Sequence, residues 1–225
     1  MPEPSPTSSM RYQGGKSRIA AQIASVISVT GGGQCFVSLF CGSCAVESKV
    51  LGFDRKILND KHAYLIAMLQ GVQRGYNLPE LITLEQYQYI RDHKELDPVL
   101  AGFVGFGCSF GGKWSLLKDM ATLQNAEFVC GDYRRLCIPP GSVIYADPPY
   151  NNTTGYGGEK FDTIEFWIAM QLLADTGHTV FVSEQEAPPG VACIWKRPFT
   201  RTLDRNKSNQ FKVTEKLFYL PPRRL

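Results

Sequence analysis

The 225-residue chain has no long apolar run and no strong excess of either charge. No stretch approaches the ~20 apolar residues that a membrane-spanning helix needs, so no membrane association is expected. Residues 1–9 are rich in proline, serine and threonine and lack the apolar core of a secretion signal, which predicts a flexible tail. A formal net charge of +3 and a pI of about 8.4 allow a polyanionic partner without requiring one.

Complete metal-binding and nucleotide-binding motifs are also missing. Cys41 and Cys44 form a Cys-x-x-Cys pair, but no second cysteine or histidine pair completes a zinc site, so a redox or zinc role stays only as an alternative. Gly15-Lys16-Ser17 is not a P-loop, because Met10 stands where that motif needs a glycine. Seven cysteines, an odd number, and no visible secretion signal predict reduced thiols in a cytoplasmic protein. No resident metal is expected.

Short apolar runs alternate with helix-like segments along most of the chain. This pattern predicts an α/β fold of about seven strands in one medium-sized domain with an insertion. The predicted strands are Cys35–Phe40, Lys56–Asp60, Glu127–Cys130, Val143–Ala146, Thr179–Ser183, Val191–Trp195 and Lys212–Leu220. The predicted helices are Ile19–Val29, Ala45–Leu51, His62–Val72 and Thr163–Asp175.

Three segments depart from this alternation. Leu78–Leu96 is amphipathic and tyrosine-rich, which predicts one or two helices that begin the insertion. Phe103–Trp114 interleaves four glycines with aromatic residues, which favours either a loop around a ligand or a connection that packs its aromatics inward. Arg197–Lys207 is basic and is predicted to be a loop.

The sequence Asp147-Pro148-Pro149-Tyr150 follows the apolar run Val143–Ala146. Ligands of open α/β sheets bind outside the carboxyl ends of the strands, and two prolines make the chain leave the strand as a stiff loop. A carboxylate, a rigid carbonyl and an aromatic ring suit methylation of an exocyclic amine, since they can hold the amine and stack on its ring. An Asx-type turn with an incidental aromatic is the alternative.

A second small-residue turn, Cys41–Cys44, follows the first predicted strand. Strand, turn and helix in this order bring backbone amides close to a cofactor in Rossmann-like folds. Asp60 follows the turn by about 20 residues, where such folds place the acid that binds ribose hydroxyls. Capping of the next helix is the alternative role for Asp60.

Together these motifs resemble the DNA adenine-N6 methyltransferases of the DNA adenine methylase type, the D12 class, from about Met10 to Tyr219. The resemblance rests on four motifs in the family's order, Tyr12–Lys16, Phe36–Val46, Asn59-Asp60 and Asp147–Tyr150. It implies a Rossmann-like methyltransferase fold with a seven-stranded mixed sheet whose last strand is antiparallel. It also implies S-adenosylmethionine as the cofactor and double-stranded DNA as the partner, with a flipped adenine as the target and a monomer or weak dimer as the active form.

The resemblance also assigns roles to residues. The catalytic motif is Asp147, Pro148, Pro149 and Tyr150. The implied cofactor contacts are Tyr12, Gly15, Lys16, Phe40, Cys41, Gly42, Ser43, Asp60, Asp132 and Asp147. The candidate DNA contacts are Lys113, Trp114, Arg197, Arg201, Arg205 and Lys207. The implied division is a tail at 1–9, a catalytic domain at 10–70 and 125–225, and an inserted DNA-recognition region at 71–124.

This chain departs from the family pattern at three places. Cys44 stands where the cofactor turn usually has a second glycine, and Ser38-Leu39-Phe40 replaces an acidic-Pro-Phe run. Relatives carry a longer basic, glycine-rich stretch at the position of Trp114-Ser115. A loop absent from this sequence would explain the difference in length.

Other readings of the same motifs remain. A methyltransferase acting on cytosine N4, on RNA or on a glutamine side chain is the nearest, and the Asp of the catalytic motif fits adenine best. A binding module that lost its activity and a nucleotide-dependent oxidoreductase are further alternatives, although the full glycine fingerprint of the latter is missing. No motif indicates which DNA sequence is recognised. No motif separates an orphan enzyme from a restriction–modification or phage enzyme.

Overall fold

A computed structural model of the chain describes residues 16–30, 35–107, 110–149, 161–202 and 210–222. The helices are α1 (Ala20–Thr30), α2 (Ala63–Gln73), α3 (Leu84–Asp92), α4 (Pro98–Gly102), α5 (Phe110–Ala121) and α6 (Thr163–Asp175), with a π-helix at Phe103–Gly107 and a 3-10 helix at Tyr133–Arg135. The strands are β1 (Cys35–Ser38), β2 (Arg55–Asp60), β3 (Ala126–Cys130), β4 (Val143–Ala146), β5 (Thr179–Glu184), β6 (Ala192–Thr202) and β7 (Gln210–Leu220).

The seven strands form one mixed sheet in the order β3-β2-β1-β4-β5-β7-β6. The first five are parallel, while β7 runs antiparallel to both β5 and β6. The order changes direction between β1 and β4, where open α/β sheets place their ligands at the carboxyl ends of the strands. This architecture confirms the predicted α/β class and the seven-stranded mixed sheet with its last strand antiparallel.

Hydrophobic cores cover both faces of the sheet. Because side chains alternate along a strand, Phe36 and Tyr145 point into one core, while Val37 and Ile144 point into the other. The first core also holds residues of α1, α2 and α5, and the second holds residues of α6. All four residues of β1 and of β4 are buried, which is why these strands read as continuous apolar runs.

The segment 71–124 contributes to the first core. Leu78, Phe103, Leu116 and Met120 are buried in the same cluster as Tyr145 of β4. α2 and α4 also pack closely, because Gly102 lets the backbone of α4 approach the carbonyl of Tyr64. The division of the chain into a catalytic domain and a recognition region stays a prediction.

Two local predictions were wrong. Residues 45–49 form turns rather than the predicted helix near Ala45–Leu51, because their hydrogen bonds mix i+4 with i+3 spacing and the chain then turns at Gly52 with φ +83°. Within Phe103–Trp114 the described residues are helical, so the loop was wrong, whereas Phe103 and Phe106 pack towards the core as the alternative predicted. α5 includes Trp114-Ser115, and a loop absent from this sequence at that place stays a hypothesis.

The predicted basic loop at Arg197–Lys207 was wrong for its first half. β6 continues from Arg197 to Thr202 and pairs with β7 from Glu215 back to Gln210. The long partner strand supplies the ladder that the local composition did not indicate. Residues 203–209 lie outside the described part of the chain.

The described residues contain no helix that is long and apolar enough to span a membrane.

Candidate active site

Asp147 leaves the sheet directly after β4, at the point where the strand order reverses. β4 is held between β1 and β5 by parallel ladders, and the amide of Leu39 donates to the carbonyl of Tyr145 at 3.0 Å. Pro148 is buried, and the side chain of Asp147 is 20% exposed. The structure therefore places the first acid of the motif on a fixed backbone with an accessible carboxylate. Tyr150 lies outside the described residues.

Lys16 meets this acid at the same edge of the sheet. Its Nζ lies 2.9 Å from Oδ1 of Asp147 and 3.1 Å from Oε2 of Glu215. The backbone of Lys16 is anchored as well, because its carbonyl accepts the amides of Ile19 and Ala20 at 2.8 Å each. The lysine is 5% exposed, so its ammonium stays buried between the two carboxylates. Tyr12 and Gly15, the other predicted residues of this motif, lie outside the described residues.

Glu215, on β7, was not predicted as a site residue. It is 1% exposed, and it pairs with Arg197 of β6 in the ladder while its carboxylate contacts Lys16. The sequence carries a signal for it. Side chains alternate between the two faces of a strand, so Glu215 lies on the same face of β7 as the buried Leu217, two residues later. Lys, Glu, Arg and Asp are almost never fully buried unless paired, so an acid on the core face of a strand indicates a partner.

Glu184 adds a third carboxyl group to this corner and was also missed. It lies at the carboxyl end of β5 and is 8% exposed. Burial raises the pKa of Glu184, and the nearby negative charges of Asp147 and Glu215 raise it further, whereas the amide of Gln185 and the charge of Lys16 oppose the shift. Together, Lys16, Asp147, Glu184 and Glu215 form what we call the acidic corner.

The predicted cofactor turn lies beside this corner, after β1. The amide of Gly42 donates to Oδ2 of Asp60 at 3.0 Å, and the amide of His62 donates to Oδ1 at 2.9 Å. Asp60 therefore joins the turn to the start of α2, whose N-cap is His62 itself. Burial raises the pKa of Asp60, and the two amides counteract that shift. Its role with ribose hydroxyls stays a prediction.

Cys44 occupies the position at which the family usually has glycine, and it adopts the backbone conformation that glycine favours. Its φ is 59°, and among the described residues it is the one non-glycine residue with a positive φ. Side chains cost free energy in this conformation, so the turn keeps its shape at the expense of strain. Gly42 has φ 49° in the same turn.

Phe40 and Ser43 complete the turn. The ring of Phe40 is half-buried and lies 5.0 Å from that of Tyr133 and 6.1 Å from that of Phe161. Ser43 is half-buried and Cys41 is buried. Cys41 and Cys44 are both free thiols, and the contact with Cys44 together with burial raises the pKa of Cys41 well above its usual value. Such thiols are poorly reactive, which disfavours the redox alternative.

Asn59 was not predicted and joins three strand ends. Its Nδ2 donates to the carbonyl of Leu39 at 2.9 Å and to that of Gly131 at 3.1 Å. Its Oδ1 is buried and has no hydrogen-bond partner among the described residues. A buried acceptor without a partner is costly, so it offers a site for a ligand donor between the ends of β2 and β3.

Asp132 follows β3. Its carboxylate accepts hydrogen bonds from the backbone amide, Nε and Nη2 of Arg134, and the guanidinium of Arg134 also contacts Glu165 at 2.9 Å. These bonds lower the pKa of Asp132 to about 2. The structure thus places this predicted cofactor residue at the same edge as Asp60, in an ion pair at the protein surface.

Glu47 is a further buried acid that was missed. Ser38 donates its Oγ hydrogen to Oε1 of Glu47 at 2.7 Å, at the carboxyl end of β1. Burial raises the pKa of Glu47 to about 7, and the charge of Asp147 adds to the shift, whereas Ser38 and Lys56 oppose it. Glu47 therefore links the cofactor turn electrostatically to the acidic corner.

Of the six predicted DNA contacts, the structure describes the side chain of Arg197. The exposed Arg197 donates to Oε1 of Gln22 on α1 at 2.8 Å. Lys113 and Trp114 lie on α5 and Arg201 on β6, at positions whose side chains are not described, while Arg205 and Lys207 lie outside the described residues.

The donor set of this region fits a cationic methyl donor. Two carboxylates face one ammonium in the acidic corner, and Glu184 supplies a third carboxyl group. The turn at Gly42, the unsatisfied Asn59 Oδ1 and Asp60 lie at the neighbouring strand ends. Among the described residues, no group of three or more His, Cys, Asp and Glu side chains is arranged to hold a metal ion.

The comparison with protein families gives one match. The model of the D12 class N6 adenine-specific DNA methyltransferases matches residues 12–97, which include Lys16, the cofactor turn and Asp60. This match confirms the resemblance for the first three motifs, and the motif Asp147–Tyr150 lies beyond the matched residues. No curated protein matches the chain.

Solved structures with a similar chain course include several methyltransferases. A candidate RNA methyltransferase from Pyrococcus horikoshii is 9% identical, with 91% of this chain and 84% of that chain covered and a TM-score of 0.47. The rRNA methyltransferase AviRa from Streptomyces viridochromogenes is 12% identical, with 94% and 87% covered and a TM-score of 0.44. A precorrin 8w decarboxylase from Methanobacterium thermoautotrophicum is 13% identical, with 90% and 89% covered and a TM-score of 0.39. No conclusion about substrate follows from likenesses at this level.

Proposed function

From the match of residues 12–97 to the D12 class N6 adenine-specific DNA methyltransferases, we propose that this methyltransferase acts on DNA. It transfers a methyl group from S-adenosylmethionine to the exocyclic amine of an adenine in double-stranded DNA. The recognised sequence would be a specific short site, as the D12 resemblance implies.

The observation that carries this proposal is the contact between Lys16 and Asp147. The lysine lies in the family-matched segment and the aspartate begins the motif Asp-Pro-Pro-Tyr, and their side chains lie 2.9 Å apart. This contact brings together two motifs that are far apart in the sequence, which supports one site built from both. This site lies where the strand order reverses, which is the expected ligand position in an open α/β sheet.

Asp147 suits the role of a hydrogen-bond acceptor for the target amine. An aromatic amine is a weak nucleophile, because its lone pair is delocalised into the ring. A carboxylate and a rigid backbone carbonyl that accept its two N–H groups favour a pyramidal nitrogen whose lone pair points outward. Pro148 and Pro149 fix the backbone that carries both acceptors, and alignment of this kind supplies much of a rate enhancement.

Lys16 holds Asp147 in place and stabilises its negative charge. The ammonium is buried between Asp147 and Glu215, so it has little freedom to move away. A carboxylate bound in this way is better used as a fixed acceptor than as a strong base. The proton of the amine would leave after methyl transfer, with Asp147 as its first acceptor.

The cofactor would be held by the turn at Phe40–Ser43, by Asp60 and by Asp132. S-adenosylmethionine, when bound, supplies a methyl group on a positively charged sulfur and needs no metal. Phe40 and the backbone at Gly42 offer an aromatic surface and a close approach, and Asp60 keeps lone pairs available besides those used by the two amides. Tyr12, Gly15, Lys16 and Asp147 complete the predicted set.

Access to the amine requires the base to leave the DNA stack, because the amine is enclosed in the duplex. Tyr150 would stack on the flipped adenine. The region at 71–124, with Lys113 and Trp114, and the basic residues Arg197, Arg201, Arg205 and Lys207 would contact the DNA. Phosphate contacts of this kind give affinity and salt dependence but little sequence choice.

A methyl-transfer assay tests the proposal. The purified protein would be incubated with S-adenosylmethionine labelled in its methyl group and with unmethylated duplex DNA, structured RNA or a protein extract in separate reactions. Label in DNA that is recovered as N6-methyladenine after digestion is the expected result. The variant Asp147→Ala serves as the control for a contaminating activity.

Other outcomes separate the alternatives. Label recovered as N4-methylcytosine, in RNA or in protein would replace the substrate proposed here. DNA that binds without gaining label in any condition would favour the binding module.

A further inference from the structure

α6 is apolar on both of its sides. Phe166 and Met170 are buried against the sheet in the second core. On the opposite side, Ile164, Ile168 and Leu172 are 75%, 64% and 62% exposed. These three residues are spaced four apart, so they form one row along the helix, which we call the α6 ridge. Surface helices usually turn polar residues to the solvent, and a helix that is apolar all round is usually covered on every side.

The rest of this chain offers little to cover the α6 ridge. The described part of the chain leaves the ridge largely open. The two longest segments outside that part, 1–15 and 150–160, contain no isoleucine, leucine or valine. Burial of an aliphatic row is favourable in proportion to the apolar area that leaves water, so a cover needs apolar side chains of its own. A second molecule is the better source of them.

The border of the α6 ridge carries charges of both signs. Glu165, on the same helix, is bound by Nη1 of Arg134 at 2.9 Å, and Nε of Arg134 donates to Asp132 at 3.0 Å. Protein interfaces typically have an apolar centre that is poor in charge and a polar rim. Because an arginine and a glutamate stand side by side on this rim, two copies can face each other without net repulsion.

We infer that the α6 ridge is a dimer interface, on which a second copy of this chain docks across a two-fold axis. Rows of residues spaced four apart pack together when two helices cross at about −50°. A two-fold contact brings the same surface of both copies together. In two antiparallel α6 helices, Ile168 therefore meets Ile168 of the second copy, and Ile164 meets Leu172 of the second copy.

The size of the α6 ridge predicts a weak dimer. Three side chains bury far less than the about 800 Å² that each partner contributes to a standard interface. We therefore expect a dissociation constant on the order of 10–100 μM. The inference concerns α6 alone and depends neither on the substrate nor on the cofactor.

Sedimentation equilibrium of the full chain, without DNA and over concentrations that span the expected constant, tests the dimer. Ile168→Glu places two carboxylates against each other on the two-fold axis, so this variant should stay monomeric throughout. Ile168→Lys should stay monomeric for the same reason. An equimolar mixture of the two variants should associate at least about tenfold more tightly than either variant alone, because opposite charges then meet on the axis.

Leu51→Glu is the matched control. Leu51 is 70% exposed, and its amide donates to Ser28 of α1, which packs on the other face of the sheet. This variant should dimerise with the wild-type constant. Ile168→Ser is the second variant if the charged variants do not fold, and it should weaken the dimer about tenfold through lost apolar contact. Thermal melting of each variant identifies a loss of folding.

Three outcomes would overturn the inference. Wild-type protein that stays monomeric at every concentration would leave the α6 ridge to a different protein or to another segment of this chain. A dimer that persists in folded Ile168→Glu would place the contact on another surface. Single variants that stay monomeric even when mixed would exclude a two-fold contact at Ile168. Methyl transfer is measured separately, so none of these results decides the proposed function.

Discussion

Nζ of Lys16 lies 2.9 Å from Oδ1 of Asp147, so the lysine before α1 and the aspartate after β4 share one buried ion pair. A glycine-lysine motif at the start of a helix would ordinarily be assigned to a phosphate or to the tail of a cofactor. Here its ammonium is already bound by protein carboxylates. The contact makes the lysine part of the proposed catalytic motif and leads directly to the first two predictions.

Asp147→Ala should abolish most methyl transfer while the protein stays folded. The side chain is partly exposed, and Lys16 keeps Glu215 as a partner when Asp147 is removed. Loss of a fixed acceptor at a reacting group costs about 10²–10⁴ in rate. Single-turnover methyl transfer and thermal melting measure the two effects, and turnover near the wild-type level would contradict the role assigned to this carboxylate.

Lys16→Met should destabilise the protein by about 3–5 kcal/mol, because it leaves buried carboxylates without the ammonium between them. Adding Glu215→Gln in the same chain should recover a large part of this loss. Urea unfolding of the two single variants and the double variant measures the coupling between the residues. Arg55→Met removes an ion pair in which both side chains are more than half exposed and should change the unfolding free energy much less. Additive effects of Lys16→Met and Glu215→Gln would contradict the buried pair.

Glu47 should make the stability of the protein fall as the pH rises from about 4.5 to about 7. Its pKa is raised from 4.5 to about 7 in the folded state, so over this range the folded protein holds a proton that the unfolded chain has lost. Folding is then favoured at the acidic end, and the contribution amounts to about 3 kcal/mol across the range. Glu47→Gln keeps an acceptor for Ser38 and should flatten this part of the profile. Urea unfolding at a series of pH values compares the two proteins, and parallel profiles would rule the effect out.

Cys44 should be one of the few buried positions where glycine is tolerated better than alanine. Its φ of 59° strains any residue that has a Cβ atom. Elsewhere in regular structure glycine costs about 0.5–1 kcal/mol relative to alanine, and here we expect Cys44→Gly to exceed Cys44→Ala in stability by about 1 kcal/mol. Chemical unfolding of both variants measures the difference, and the usual order would show that the turn relaxes when the cysteine is replaced.

Gly102→Ala should be destabilising, and Gly105→Ala should not. A Cβ atom at Gly102 would collide with the carbonyl of Tyr64 and approach Cβ of Met68 to 2.8 Å, which forces α4 away from α2. Overpacking of this kind costs about 1–3 kcal/mol. A Cβ atom at Gly105 meets no atom within 4 Å, so this exposed neighbour is the matched control. Thermal melting of both variants tests the close approach of the two helices.

The sequence predicted those features that depend on local chemistry. β4 was predicted with its observed bounds, because four consecutive apolar residues before Asp-Pro-Pro leave little choice of structure. The position of Asp60 beside the turn followed from a spacing that the fold imposes. Composition and spacing are therefore enough to predict site residues that directly follow a strand.

Features that depend on distant pairing were not predicted. Glu215 and Glu184 read as ordinary charged residues of strands until β7 is placed between β5 and β6. The long β6 was missed because its second half is polar and is held by the ladder with β7. The turns at residues 45–49 were predicted as a helix because their composition is helical, whereas their hydrogen bonds mix i+4 with i+3 spacing.

β7 enters the sheet between two strands that precede it in the chain, and it carries Glu215 into the acidic corner. All four sequence motifs precede this strand, so a chain that ends before Gln210 would keep every motif and still lack the carboxylate that Lys16 contacts. The identity of the site residues in the first two thirds of the chain is therefore not enough to reproduce their surroundings, which the last strand supplies.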